Sequence, residues 1–330
     1  MKEILNILFD HKTLSREQSK RILTGIGKGE YNPGSVAAFM SVYLMRNISV
    51  EELAGFREAL LELCLPVKFD TNETIDIVGT GGDGKNTFNI STLSCFVVAG
   101  AGVKVTKHGN YGVSSASGSS NVLEKIGVTF TNDAAVLNRQ VNETGVCFMH
   151  APLFHPAMKT VAPIRKELGV RTFFNLLGPI VNPCRPRYLF LGTYNLEVMR
   201  LYNYLLQETA HEYFIVHSYD GYDEISLTGN FKVTSKNSEQ IFAPGNLGMT
   251  LLKEGDLFGG NNSDEAAGLF LKILNGNGTS AQKEVVVANA ALAIHCVNRG
   301  RSLNDCILQA KESLDGKKAL LVYKKLIRIN

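Results

Sequence analysis

Residues 74–92 read TIDIVGTGGDGKNTFNIST, and the way this stretch is parsed decides the fold. A short β-rich run at 74–78 is followed by four glycines, at 79, 81, 82 and 84, and then by amide and hydroxyl side chains. A helical pattern at 91–101 comes next. Strand, glycine turn and helix in that order make a βα unit whose loop can hold an anion on backbone N–H groups and a helix N-terminus. The stretch comes close to the phosphate loop G-x-x-x-x-G-K-[ST] but departs from it at the decisive place. Gly79, Gly84 and Lys85 fit, whereas Asn86 stands where a magnesium-binding hydroxyl is needed and Thr87 comes one residue late. The helix also does not follow the lysine directly, because NTFNIST intervenes with the look of an N-cap region. An ordinary βα turn rarely needs four glycines, so the stretch reads as a phosphate cradle of another kind.

The same design returns at Lys107–Ser120, where a cation, His108, Asn110, three glycines and five serines lie between a strand and a helix. Two such loops at consecutive strand ends of one parallel sheet point to a ligand with several phosphate groups. Asn121 and Glu124 resemble a helix start with Gly127 as its C-cap, and so read as structural. Asp223 and Glu224 stand side by side after an apolar run at 212–217; on spacing alone a solvated loop explains the pair as well as a magnesium site shared with substrate phosphate, and the two phosphate cradles favour the metal.

Working outward, residues 1 to about 65 space apolar residues by three and four, and Ser49 is an N-cap candidate before EELAGFREALLELC. Beyond Pro66 the rhythm changes to strands at 74–78, 103–107, 146–150, 187–193 and 212–217, alternating with helical patterns. Residues 281–327 return to helix. The expected fold class is α/β: a small all-helical N-terminal domain plus a large α/β domain with a mostly parallel central sheet flanked by helices. The expected boundaries are 1–66 for the helical domain, completed by part of 155–183, and 74–330 for the large one.

The 330 residues carry 34 basic and 31 acidic side chains, a net charge of +3 that is too balanced for a general polyanion binder. Nucleic acid is therefore not expected as a partner. No apolar run approaches the ~18 residues that span a bilayer: the longest, around Cys95–Val105 and Val285–Val297, are broken by Lys104, Asn289 and His295. Six scattered cysteines without a C-x-x-C pair read as buried thiols in a reducing compartment, and the expected location is the cytoplasm. In the connector, His150 and His155 are five apart with Pro152 between them, which rules against a zinc pair on one helix face. Arg165, on a short helix after Pro163, is a candidate to hold a carboxylate in a two-pronged grip, although an ordinary surface arginine explains it as well.

Taken together, GTGGD at 79–83 with NIST at 89–92, KHGN at 107–110 with SS at 114–115, and the block HPAMK…R…LG.RT.FN.LGP..NP at 155–183 resemble the anthranilate phosphoribosyltransferase family over essentially the whole chain. The DE pair at 223–224 agrees. Thymidine and pyrimidine nucleoside phosphorylases look like relatives but lack the 155–183 block, and a non-catalytic nucleotide-binding relative is a further alternative. The resemblance implies a homodimer, anthranilate and phosphoribosyl pyrophosphate as substrates, and magnesium as cofactor, at two ions per subunit. It implies that phosphoribosyl pyrophosphate is held by Gly79, Gly82, Asp83, Thr87, Asn89, Ile90, Ser91 and Thr92. Lys107, His108, Gly109, Asn110, Tyr111, Gly112, Val113, Ser114, Ser115 and Ser119 complete that set. Ser91, Asp223 and Glu224 match the magnesium positions. Gly79, His108, Asn110, His155, Arg165, Gly178 and Pro179 match the anthranilate region. No residue is implied as a discrete acid or base. One departure is visible: many members read K-H-G-N-R, and this chain has Tyr111 in place of that arginine. The absence of tryptophan suits an enzyme made during tryptophan shortage.

Overall fold

The computed structural model describes residues 1–112 and 117–329. These separate into two compact units, one from Met1–Val67 with Ala151–Arg185, the other from Lys68–His150 with Pro186–Asn330. The segment that joins the first unit thus begins before and ends after the 155–183 block expected there.

The first unit is helical. Its main helices are Lys2–Phe9, Arg16–Gly27, Pro33–Met45, Val50–Leu63 and Ala157–Leu168. Local sequence accounts for where they start. Ser15 with Gln18 and Ser49 with Glu52 form capping boxes, and Asn32 caps a helix opened by Pro33. Gly55 lets two helices touch, since a Cβ there would run into the Arg16 carbonyl. The core is aromatic: Phe173, from the returning segment, stacks on Phe56 at 4.6 Å and meets Tyr43 edge-on at 5.0 Å. Pro163 lies inside the helix Ala157–Leu168 rather than before it, so Arg165 sits in that helix's last turn.

One buried charge organises this unit. Glu52 is fully buried and accepts from the Leu14 N–H (3.0 Å), the Tyr43 hydroxyl (3.1 Å), the Ser49 N–H (3.0 Å) and both terminal nitrogens of Arg46 (2.9 and 2.5 Å). Burial alone would push its carboxyl up, but Arg46 and the backbone donors outweigh it and hold the pKa below the ordinary glutamate value.

The second unit is built on a sheet. Its strands are β1 (Ile75–Gly79), β2 (Val105–Gly109), β3 (Val146–His150), β4 (Tyr188–Gly192), β5 (Glu212–Ser218), β6 (Phe231–Ser235) and β7 (Glu239–Phe242). Among the described residues they form one sheet in the order β3-β2-β1-β4-β5-β6-β7. The first five are parallel, and β6 and β7 add antiparallel. The five parallel strands lie within two residues of the positions read from the sequence. The two missed strands belong to a polar run, FKVTSKNSEQIF, whose outer strand is largely exposed and so carries little apolar signal. Helices Ile90–Gly100 and Ser280–Val297 are apolar nearly all round because both are buried in the core of this unit.

Replacing Glu52 by Ala leaves Arg46 without its partner and should cost about 3 kcal/mol of stability or more in urea unfolding. The folded pKa is depressed, so the stabilisation is fully present above the unfolded value of about 4.3 and is lost as pH falls through the folded one. Urea midpoints of the parent chain measured from pH 6 downward should fall more steeply than those of Glu52→Gln.

Candidate active site

The order of strands places a reversal between β1 and β4: helices leave these neighbours in opposite directions along the sheet, the position where parallel sheets bind ligands beyond their carboxyl ends. Here the two strands end in paired glycines, Gly79 beside Gly192. Asp223 lies across both. A Cβ on Gly79 would meet the Asp223 carboxylate, and one on Gly192 would run into its carbonyl. The glycines are what allow the acidic turn after β5 to reach the end of β1.

The loop after β1 is shaped by positive φ at Gly81, Gly82 and Gly84. The Gly81 N–H donates to Asp223 Oδ2 (2.6 Å), the Thr80 N–H to the Gly192 carbonyl (3.0 Å) and the Lys85 N–H to Asp83 Oδ1 (3.0 Å). Thr87 Oγ1 and the Ser91 N–H both donate to Glu224, the former at 3.0 Å. The structure therefore brings Ser91, Asp223 and Glu224 together, and adds Thr87 and Asp83. The helix begins at Ile90 and not at 91. Asn89 stands at its cap position without capping it, and its amide donates instead to the Ser117 carbonyl (3.1 Å), tying the first loop to the second.

The second loop is anchored just as firmly. The Asn110 carbonyl accepts from Ser119 Oγ (3.1 Å) and the Ser120 N–H (3.2 Å), and Asn121 Oδ1 accepts from both Gly112 N–H (3.0 Å) and Gly118 N–H (2.9 Å). Asn121 thus closes the neck of the loop. Val113, Ser114 and Ser115 lie outside the described residues. The helix here runs Ser119–Lys125, so Glu124 is near its end and not its start, and Gly127 follows at φ +90. The Tyr111 hydroxyl donates to Glu124 Oε1 (2.8 Å) and its ring packs edge-on to His150. In this chain the position offers a neutral hydrogen bond where the family arginine would bring charge.

Lys107, the cation read in the second loop, has a partner within the sheet. It is buried, and its ammonium donates to the Ile77 carbonyl of the neighbouring strand. The His108 N–H donates to Asp76 Oδ1 (3.2 Å). Lys85 Nζ pairs with Glu254 (3.3 Å) and lies 4.6 Å from the Tyr222 ring centroid.

The acidic group is electrostatically tense. Burial, then the Asp83 charge, pushes Asp223 up to about 7, and burial, then Asp223, raises Glu224 well above the usual range. Asp83 is raised too, chiefly by burial. The Asp83 charge raises Asp223, and both of these charges raise Glu224. Among the described residues no group of three or more acidic, histidine or cysteine side chains is arranged to hold a metal ion. Magnesium suits such an incomplete set, because it takes one or two carboxylates and completes its shell with water and phosphate oxygens.

In the helical unit, Arg165 is half-buried, donates to Asn175 Oδ1 (3.3 Å) and lies 5.5 Å from the Phe174 ring centroid. Burial lowers its pKa and no charged neighbour contributes. Among the described residues no carboxylate pairs with this partly desolvated guanidinium, which suits it to an anionic ligand. His155 is buried and pushed down to about 4, which keeps it neutral near pH 7. Gly178 and Pro179 form the 3₁₀ turn Gly178–Ile180. Sequence reasoning missed the segment that props the first loop, where the Phe88 N–H donates to the Leu257 carbonyl (3.0 Å), the Gly259 N–H to the Asn86 carbonyl (2.9 Å) and the Asn86 amide to the Gly260 carbonyl (2.9 Å). The Gly259–Gly260 pair was its only signal.

Residues 2–64 match the helical bundle domain, and residues 71–320 the a/b domain, of the glycosyl transferase family. The anthranilate phosphoribosyltransferase of Flavobacterium psychrophilum is 55% identical, with 100% of both chains covered. That of Bacteroides thetaiotaomicron is 54% identical, covering 100% of this chain and 99% of its own. The crystal structure of the Thermus thermophilus anthranilate phosphoribosyltransferase superposes with a TM-score of 0.92 at 31% identity over 98% of each chain. The Saccharomyces cerevisiae enzyme in complex with PRPP and Mg gives 0.90 at 26% identity, over 98% of this chain and 96% of its own.

Changing Asp223 to Asn and Glu224 to Gln together removes the repulsion. The melting temperature without divalent metal should rise by a few degrees, as ~1 kcal/mol does in a chain of this size. The stabilisation by magnesium with inorganic pyrophosphate should disappear in the same thermal-shift titration, and an unchanged response would remove both residues from the site.

Proposed function

This chain belongs to the anthranilate phosphoribosyltransferase family, and on that premise we propose how it transfers the phosphoribosyl group of 5-phosphoribosyl 1-pyrophosphate to the amine of anthranilate. The products are N-(5-phosphoribosyl)anthranilate and pyrophosphate, on the route to tryptophan. The observation that carries the reading is the glycine cradle and carboxylate group meeting at the ends of β1 and β4.

Phosphoribosyl pyrophosphate is assigned to the two loops. The backbone of Gly79–Asp83, the N-terminus of the helix from Ile90 and the side chains of Thr87, Asn89 and Thr92 make up the first cradle. Lys107–Gly112 and Ser119 make up the second, with Val113–Ser115 assigned by the family resemblance alone. Asp223, Glu224 and Ser91 are assigned to magnesium, with Asp83 close enough in charge to contribute, and we read the set as serving two ions per subunit. When bound, magnesium supplies positive charge to the pyrophosphate oxygens. Backbone N–H groups of the first loop add to that stabilisation as the bond from the ribose C1 lengthens and the sugar takes on oxocarbenium character.

In the helical unit, Arg165, His155, Gly178 and Pro179 are assigned to anthranilate by the family resemblance. Arg165 grips the carboxylate, and neutral His155 offers an uncharged surface. The aryl amine is neutral at pH 7 and needs no strong base, so orientation and electrostatics carry the rate. The chain is further read as a cytoplasmic homodimer. Its cysteines are unpaired among the described residues, no helix among those residues is long and apolar enough to cross a membrane, and Phe9, Leu44 and Met45 leave exposed apolar surface on the helical unit.

Adding phosphoribosyl pyrophosphate and magnesium to enzyme and anthranilate should abolish anthranilate fluorescence, whereas phosphorolysis of thymidine or uridine without that loss would mark a nucleoside phosphorylase instead. Arg165→Ala should raise the KM for anthranilate at least tenfold, the scale of a lost charged hydrogen bond of about 1.5–3 kcal/mol. The KM for phosphoribosyl pyrophosphate should change little; equal effects on both would sink the assignment.

A further inference from the structure

Helix Ser280–Val297 is apolar and buried nearly throughout, yet it carries an asparagine at its centre. Asn289 is 1% exposed, and a polar side chain placed there needs partners. It finds them on the acidic turn: Oδ1 accepts from the Ile225 N–H (3.1 Å), and Nδ2 donates to the Ile225 carbonyl (2.8 Å). Nδ2 also donates to the Val285 carbonyl of its own helix (2.8 Å). Both backbone groups of the residue next to Glu224 are thus satisfied by one carboxamide, as a neighbouring strand would satisfy them.

The other side of the turn is clipped as well. Ser218, fully buried at the end of β5, donates from Oγ to the Glu224 carbonyl (2.7 Å), and the same oxygen accepts from the Ser226 N–H (3.2 Å). Leu227 follows at φ +60, a left-handed conformation that a leucine avoids unless its surroundings impose it. The Leu227 carbonyl accepts from the Leu252 N–H (2.9 Å). The turn that presents Asp223 and Glu224 is therefore fixed from three directions, and burial raises the cost of losing any of these bonds.

We infer that Asn289 and Ser218 are positioning residues for the metal-binding carboxylates. They hold the backbone of Glu224–Ser226 so that two mutually repelling side chains stay aimed at one place when no cation is there to hold them. The inference rests on the assignment of Asp223 and Glu224 to magnesium. Groups of this kind, which orient ligands without touching the ion, typically change metal affinity by about 10–100-fold.

The test is a magnesium titration in the presence of inorganic pyrophosphate, read by thermal shift and by calorimetry on the full chain, alongside steady-state kinetics. Asn289→Leu keeps similar volume but strands both Ile225 groups. It should move the magnesium midpoint upward by about tenfold and leave the KM for anthranilate within about twofold. Ser218→Ala removes a single oxygen and should move the midpoint in the same direction by about threefold, on the scale of one lost hydrogen bond. If Asn289→Leu does not fold, Ser218→Ala decides. Folded variants with the parental magnesium midpoint would overturn the inference, provided the Asp223→Asn, Glu224→Gln double variant shifts it. If that double variant also has no effect, the magnesium assignment itself has failed.

Discussion

A methyl group at position 192 would occupy the space of the Asp223 carbonyl, and this close approach is the constraint on which the α/β unit's site depends. Because Gly192 and Gly79 are both bare, the turn after β5 can cross the ends of two adjacent parallel strands. Its carboxylate then reaches the backbone of the first glycine loop. The Gly81 N–H on Asp223 and the Thr87 hydroxyl on Glu224 follow from that crossing, and so does the shared strain of Asp83, Asp223 and Glu224. Sequence-distant parts of the chain become one site through the absence of two side chains.

The lysines beside the glycine loops are engaged within the protein. Lys107 is turned inward to a carbonyl, Lys85 is engaged by Glu254 and Tyr222, and Tyr111 is neutral where many relatives carry an arginine. Asn121 and the 257–260 segment hold the two glycine loops in place. In the helical unit, no carboxylate among the described residues pairs with Arg165.

Much of this was legible in the residues. The parallel strands announced themselves as short β-rich runs, and Ser49 marks a helix start that a capping argument finds. The glycine loops and the acidic pair were visible because their residue types have few other uses. What escaped was set by tertiary context. The strands β6 and β7 lie in a polar, edge-type run. That Lys107 also donates to the Ile77 carbonyl of the strand beside it is not visible in the sequence. Asn289 reads as an interruption of an apolar helix, and nothing near it in sequence reveals that Ile225 is its partner. Periodicity reports faces and lengths, but it does not report which backbone groups two distant segments will leave for each other.

The helical unit is discontinuous, and its aromatic core is completed by Phe173 from the returning segment. During synthesis, Phe39, Tyr43 and Phe56 emerge roughly a hundred residues before the ring that fills the space between them. At translation rates of about 5–20 residues per second, this leaves an unfinished apolar surface waiting on the order of ten seconds. The capping boxes and the buried Glu52–Arg46 pair are all local to residues 1–67, so they can hold the early helices in place during that interval. The helices of residues 1–67 are in this way a scaffold whose keystone arrives late.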